Sequence, residues 1–217
     1  MVKQLVISSV LVALVIASAS GVRAAPPDPR ASVATMLAGY EHVPSAADWA
    51  RVGPPAEVAA ALMDVAHTGK VIAAARATSS LAHFPRPEVQ AFLAARVGDA
   101  ALRPTLRGKA AIALGRAFGD AAAPTIAPLF ASPDPDLRED AIRAFASFAT
   151  SASESFLRAR ATKDPVPRLG ERMRTTAERI AGERARRLLV TPDGPTLLVD
   201  PDQEVDVTIE DPGPVRR

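Results

Sequence analysis

Few side chains in this sequence could do chemistry. Its 217 residues include three histidines and no cysteine, so thiolate nucleophiles, disulfides and cysteine metal ligands are excluded at the outset. His42, His67 and His83 stand alone. None falls in a His-Glu-x-x-His zinc pattern, and no Gly-x-Ser-x-Gly nucleophile turn or phosphate-cradling glycine loop accompanies them. His67 and His83 lie near expected helix ends, where an imidazole meets terminal carbonyls, and His42 lies in an expected loop. The densest acidic cluster, Asp134, Asp136, Glu139 and Asp140, lacks the glycine hinge and closing glutamate of a calcium loop; it suits the first turns of a helix instead. The sequence calls for no metal and no cofactor.

The arginines are more suggestive. Arg107, Arg138 and Arg168 recur at intervals of 31 and 30 residues, which predicts equivalent positions on successive helices. Such a row of guanidinium groups could grip an acidic partner; alternatively each arginine bridges to its neighbouring repeat or caps a loop. Arg168, Arg172 and Arg179 are spaced by four and seven and so share one helix face. That face is either an interaction surface or the solvated end of an array. These five arginines are the candidate binding residues.

The elements that must position them are helical. Hydrophobic residues make up 48% of the chain but aromatics only 4%, so the interior is built mainly of Ala, Leu, Val and Ile. Alanine-rich interiors favour closely packed helices over sheets. Ala25 to Arg30 reads as a proline-fixed extended linker. Helices are expected over Ser32 to Tyr40, Ser45 to Arg51 and Glu57 to His67, the last ended by Gly69 in a left-handed cap, with Lys70 opening the next. Tyr40 and Trp49 are expected to cover the first hairpin.

Beyond Lys70 the pattern repeats. Ala77-Thr78-Ser79-Ser80-Leu81 aligns with Ala110-Ala111-Ile112-Ala113-Leu114 at a shift of 33, and Leu106-Arg107 to Ala110 with Leu137-Arg138 to Ala141 at 31. Partner helices are expected over Pro87 to Val97, Ala121 to Ala131 and Ser153 to Ala161. One helical hairpin of about 31 residues cannot bury its apolar face alone, and stacking successive hairpins completes the core. The expected fold class is therefore all-α, an α-solenoid of stacked helical hairpins. Asp136-Leu137-Arg138-Glu139-Asp140-Ala141-Ile142-Arg143-Ala144-Phe145 and Leu106-Arg107-Gly108-Lys109-Ala110-Ala111-Ile112-Ala113-Leu114-Gly115 resemble HEAT-like repeats, a likeness that covers about Glu57 to Ile180. Where that family often carries an aspartate upstream of its arginine, this chain has Ala101, Ser132 and Thr162, so the family's Asp–Arg ladder is not spelled out.

The two ends differ from the middle. Lys3 precedes an apolar run, Leu5 to Ala17, interrupted only by Ser8 and Ser9, and Val22-Arg23-Ala24 fits a signal-peptidase site, so cleavage is expected after Ala24. The run is short for a spanning helix; no stable membrane insertion is expected after cleavage. The chain's 26 basic and 24 acidic side chains become 24 and 24 once Lys3 and Arg23 leave, and a neutral mature chain gives no electrostatic reason to bind nucleic acid. At the other end, Leu188-Leu189-Val190 and Leu197-Leu198-Val199 flank an Asp193-Gly194 turn, and Val205, Val207 and Ile209 alternate with polar residues. This predicts a short β-prone extension. Leu188 to Val215 holds seven acids and no base, whereas Arg158 to Arg187 holds ten bases and four acids.

The expected organisation is a signal peptide over residues 1–24, a linker over 25–31, a HEAT-like helical repeat domain over 32–187, and an acidic β-hairpin-like or disordered tail over 188–217. The expected function is that of a non-catalytic scaffold, exported to the periplasm or the extracellular space, which holds a protein or peptide partner of the cell envelope on its repeat surface. Two alternatives follow. Some HEAT-like proteins act on bilins, so the resemblance also implies a tetrapyrrole lyase or carrier; and the basic last helix suits anionic envelope polymers, with the acidic tail as competitor.

Overall fold

A computed structural model describes residues 28–39 and 44–189, with side chains as far as 187. The expected signal peptide, Tyr40, His42 and the β-prone segment from residue 190 onward lie outside the described residues. Within them every element is helical, so the described chain is all-α, and no helix there is long and apolar enough to cross a membrane.

Proline and capping side chains set where the helices begin. Helix α1 spans Pro29–Ala38, and the Asp28 side chain accepts a hydrogen bond from the Arg30 amide at 3.0 Å. The expected linker thus ends earlier than the sequence reading placed it: proline suits the first helical position, where no amide donor is needed. Ser45 and Asp48 form a reciprocal capping box for α2, Ala46–Val52. Pro55 opens α3, Pro55–Thr68. Gly69 ends it in extended backbone, φ −73° and ψ 160°, and not in the expected left-handed cap; its amide still bonds to the Val65 carbonyl at 2.9 Å.

Helix α4, Val71–Ser80, runs into a 3₁₀ turn at Leu81–His83. Helices α5, Pro87–Gly98, and α6, Pro104–Phe118, follow. Gly119, at φ +56°, then turns the chain as only glycine does readily. The single partner helix expected over Ala121 to Ala131 is split into a 3₁₀ turn at Gly119–Ala122, the one-turn α7 at Ala123–Ile126, and a 3₁₀ turn at Ala127–Ala131. Pro124 and Pro128 explain the split, because each removes an amide donor and clashes with the preceding turn. Helix α8 is Pro135–Ala146, capped by Asp134, and α9 is Ser151–Ala161, opened by a Thr150–Ser153 capping box. Helix α10 is Pro167–Leu189.

Chain neighbours pack as hairpins, α3 on α4, α5 on α6 and α9 on α10, while the second helices also pack in series, α4 on α6, α6 on α8 and α8 on α10. Burial follows the repeat. Ala77, Thr78, Ser80 and Leu81 are buried, as are Ala110, Ala111, Ala113 and Leu114, and then Ala141, Ile142, Ala144 and Phe145. Two buried, one skipped, two buried is a broad stripe that faces neighbours on both sides. In α10 the buried residues narrow to Leu169, Met173, Ala177 and Ile180, a single seam with the opposite side exposed. Polar ties join one hairpin to the next, Thr150 Oγ1 to Asp120 Oδ1 at 2.9 Å and Arg160 to the Phe130 carbonyl, while Arg184 Nη1 to Glu154 Oε2 at 2.9 Å ties the two helices of the last hairpin.

Small residues let the helices approach. A methyl group on Gly115 of α6 would lie 2.8 Å from the Ala144 carbonyl oxygen of α8, and one on Gly170 of α10 would lie 2.6 Å from the Ala161 carbonyl oxygen of α9. Gly182 of α10 has open space around it. Alanine is the better helix former at all three positions, yet Gly115→Ala and Gly170→Ala are expected to destabilise by about 1–3 kcal/mol through overpacking, and Gly182→Ala to stabilise by up to about 1 kcal/mol. Urea unfolding followed by circular dichroism checks this; the opposite order would mean that backbone approach does not set the packing.

Candidate binding surface on the second helices

Arg138 is a structural rung and not an open contact. It is 5% exposed at its side chain and Asp164, in the α9–α10 connection, is 0% exposed. Arg138 Nε donates to Asp164 Oδ2 at 3.0 Å and Nη2 to Oδ1 at 3.3 Å, while Nη1 donates to the carbonyls of Ser132 at 2.7 Å and Pro133 at 3.3 Å. Asp164 Oδ1 also accepts the Val166 amide at 2.9 Å. One arginine thus joins the loop before α8 to the loop before α10. The aspartate missing upstream of the arginine is supplied from 26 residues downstream. Arg107, half-buried, donates from Nε to the Val97 carbonyl at 3.1 Å.

Arg168 does not complete a row. Pro104-Thr105-Leu106, Pro135-Asp136-Leu137 and Pro167-Arg168-Leu169 open α6, α8 and α10 alike, each with its leucine buried. By that register Gly170 occupies the position of Arg107 and Arg138, and Arg168 falls level with Thr105 and Asp136, exposed. The interval of 30 residues is two short of the structural repeat between α8 and α10. Arg172 and Arg179 share the exposed side of α10, as expected. Arg172 Nε lies 3.7 Å from Glu139 Oε1, and Arg179 pairs with Glu183 while Nη2 reaches the Ala146 carbonyl at 3.5 Å.

The same register exposes residues the sequence reading missed. Arg76, Lys109, Asp140 and Arg172 are equivalent in α4, α6, α8 and α10, and seven residues on come His83, Arg116, Ser147 and Arg179. Recesses lie between these helices. The first, about 380 Å³, separates α4 from α6 and is lined by Arg76, Ser79, Ser80, His83, Lys109 and Arg116 over an apolar lining of Pro44, Ala75 and Ala82. No carboxylate among the described residues lines it. Neither Lys109 nor Arg116 has an ion pair or hydrogen bond among the described residues, and Ser80, 5% exposed, has a hydroxyl with no partner there. His83 therefore stands on a groove wall, not merely at a helix end. The signal was present in the sequence as basic side chains, Arg76 and His83 and then Lys109 and Arg116, at i and i+7 repeated at a shift of 33, but none follows at the next shift of 31, where Asp140 and Ser147 stand.

The second recess, about 300 Å³ between α6 and α8, is acidic: Asp134, Asp136, Glu139 and Asp140 line it with Lys109 and Arg143. Asp134 caps α8 by accepting the Asp136 amide at 2.9 Å, and Arg143 bridges Asp140 at 3.0 Å and Glu139 at 2.6 Å. Burial raises the pKa of Asp140 above its ordinary value, against the lowering effects of Arg143 and Lys109. Among the described residues no group of three His, Asp or Glu side chains could hold a metal ion. A third recess, about 330 Å³ between α8 and α10, includes Glu139, Arg168 and Arg172.

No protein-family model matches the chain, and no curated protein or solved structure matches it. What the surface binds must be read from its own residues.

Removing either partner of the Arg138–Asp164 pair strands a buried charge, so Asp164→Ala is expected to destabilise by about 3–5 kcal/mol. Arg179→Ala, on an exposed pair, should change stability by less than about 0.5 kcal/mol. Denaturant unfolding of both variants checks this, and equal effects would remove Arg138 from its structural role. Asp140 gives a test in pH. Its proton is held more tightly in the folded than in the unfolded chain, so its contribution is fullest below the ordinary aspartate value of about 3.9 and is lost as pH rises through the raised folded value. The stability of Asp140→Asn relative to the natural chain should therefore increase as pH is raised from about 3 to 6; a decrease would contradict the burial effect.

Proposed function

We propose that this chain is an exported binding scaffold, a HEAT-like α-solenoid whose second helices hold an acidic, apolar-bearing segment of a protein or peptide of the cell envelope. The observation that carries this reading is the α4–α6 groove, which among the described residues has an apolar lining, Lys109 and Arg116 on its α6 wall and no carboxylate. Its volume of about 380 Å³ lies within the range of ligand-binding clefts. Apolar lining with a cationic wall suits a ligand that alternates small hydrophobic side chains with carboxylates, since the first are buried while the second meet Lys109 and Arg116. The serial packing of α4, α6, α8 and α10 supports the solenoid arrangement, and the neutral charge of residues 25–217 supports selection by local rather than overall electrostatics. Export rests on the lysine, apolar run and small-residue site of residues 1–24.

The groove's chemistry also separates this reading from that of a general polyanion binder. Three of the seven arginines on α10 are held by glutamates, Arg174 by Glu171, Arg179 by Glu183 and Arg184 by Glu154. An anionic polymer attracted to charge alone would have no use for the apolar lining.

A fluorescein-labelled peptide alternating valine with glutamate is expected to bind the chain saturably at micromolar concentration in an anisotropy titration. The same peptide with lysine for glutamate should bind at least tenfold more weakly, and Arg116→Glu should weaken the glutamate peptide by a similar factor without altering thermal unfolding. Equal binding of the two peptides, or no saturable binding, would overturn the proposal.

A further inference from the structure

The groove's chemistry has a counterpart within the chain. Val205-Asp206-Val207-Thr208-Ile209-Glu210-Asp211 alternates apolar with polar or acidic side chains, and it lies in the stretch from Leu188 to Val215 that carries seven acids and no base. In an extended segment alternate side chains point to opposite sides, so this pattern, laid out as a strand, would put Val205, Val207 and Ile209 on one side and Asp206, Thr208 and Glu210 on the other. Charge and apolar pattern therefore both complement a groove with an apolar lining and with Lys109 and Arg116 on its α6 wall. We propose that residues 205–211 of this chain occupy the α4–α6 groove, so that an outside partner must displace them.

The chain is long enough for this. Arg179 of α10 is level with the end of α8, since its guanidinium lies 3.5 Å from the Ala146 carbonyl. Ten further residues carry the helix about 15 Å past that level, at about 1.5 Å per residue. From α10 the groove lies across α8 and at the far side of α6, about 20–30 Å away at the usual spacing of about 8–10 Å between packed helices. The fifteen residues from 190 to 204 span up to about 50 Å when extended, which covers the gap. The outer face of α10 is nearer but less suitable. Its Arg174 and Arg179 already pair with Glu171 and Glu183, and Arg172 approaches Glu139. Arg168, Arg186 and Arg187 of α10 are, like Lys109 and Arg116, without an ion pair among the described residues, but Lys109 and Arg116 stand over the apolar lining of Pro44, Ala75 and Ala82.

The inference rests on the reading of the groove as a peptide site, and the two fail separately. If the glutamate peptide binds but residues 205–211 are elsewhere, the groove keeps its function and only the internal occupant is lost. If neither is found in the groove, the reading of the site itself falls.

Because the chain has no cysteine, a single introduced pair reports proximity without background. In the full chain carrying Ser79→Cys and Thr208→Cys, mild oxidation is expected to give an intrachain disulfide in most molecules. Adding Arg116→Glu and Lys109→Glu should cut the yield at least fivefold, and Asp206→Lys with Glu210→Lys added to those should restore it. Such rescue separates charge pairing from a folding defect. A pair made from Arg172→Cys and Thr208→Cys should oxidise at least fivefold less. Preferential cross-linking at position 172 would place the segment on α10 and overturn the proposal. So would a product that is mainly dimeric, which would put a second copy's segment in the groove, and so would a yield unaffected by the charge changes.

Discussion

The separation of α6 and α8 governs much of the described structure. Gly115 faces the Ala144 carbonyl, and the space a methyl group would take on Gly108 is filled by the Asp140 carboxylate. At Gly115 backbone meets backbone, and at Gly108 the α6 backbone receives a side chain of α8. With few aromatic residues to fill space, close approach is how an interior of alanine and leucine reaches the density that dispersion and burial require. The aromatic exception is local: Phe130, Phe145, Phe148 and Phe156 cluster with ring centroids 4.6–5.1 Å apart. They fill the region where the proline-split segment between α6 and α8 replaces a regular helix.

The Arg138–Asp164 pair extends the same order to the connections. Apolar stripes fix which helix faces meet but leave the loops at the helix ends less constrained. A guanidinium that reaches two carbonyls on one side and a carboxylate on the other fixes two successive connections together. Placing both charges out of water is tolerable because each has several hydrogen-bonding partners.

Much of the helical content was legible because short-range rules wrote it. Ser45 and Thr150 cap, Pro55, Pro87 and Pro135 open helices, and the buried stripes of α4, α6 and α8 match the shifts of 33 and 31. The errors arose where one residue type permits two outcomes. Pro29 starts a helix after Asp28 but was read as a linker, Gly69 stays extended, and Pro124 and Pro128 divide what apolar content alone would make one helix. Arg168 matches Arg107 and Arg138 in residue type, but the Pro-x-Leu start and its buried leucine set the register two residues away. The groove was illegible for another reason: its walls come from two hairpins, so no single window contains it. Arg172 and Arg179 were found on α10, while their equivalents Lys109 and Arg116 went unnoticed.

The equivalent positions Arg76, Lys109, Asp140 and Arg172 read plus, plus, minus, plus from α4 to α10. Reversed, the series is plus, minus, plus, plus, so the two directions are not interchangeable. An extended chain lying across the second helices would meet its counter-charges in one sense of travel and like charges in the other. Asp140, the member that breaks the run of cations, thus gives the row of charges a direction, and a segment held as proposed would be read differently from amino to carboxyl end than backwards.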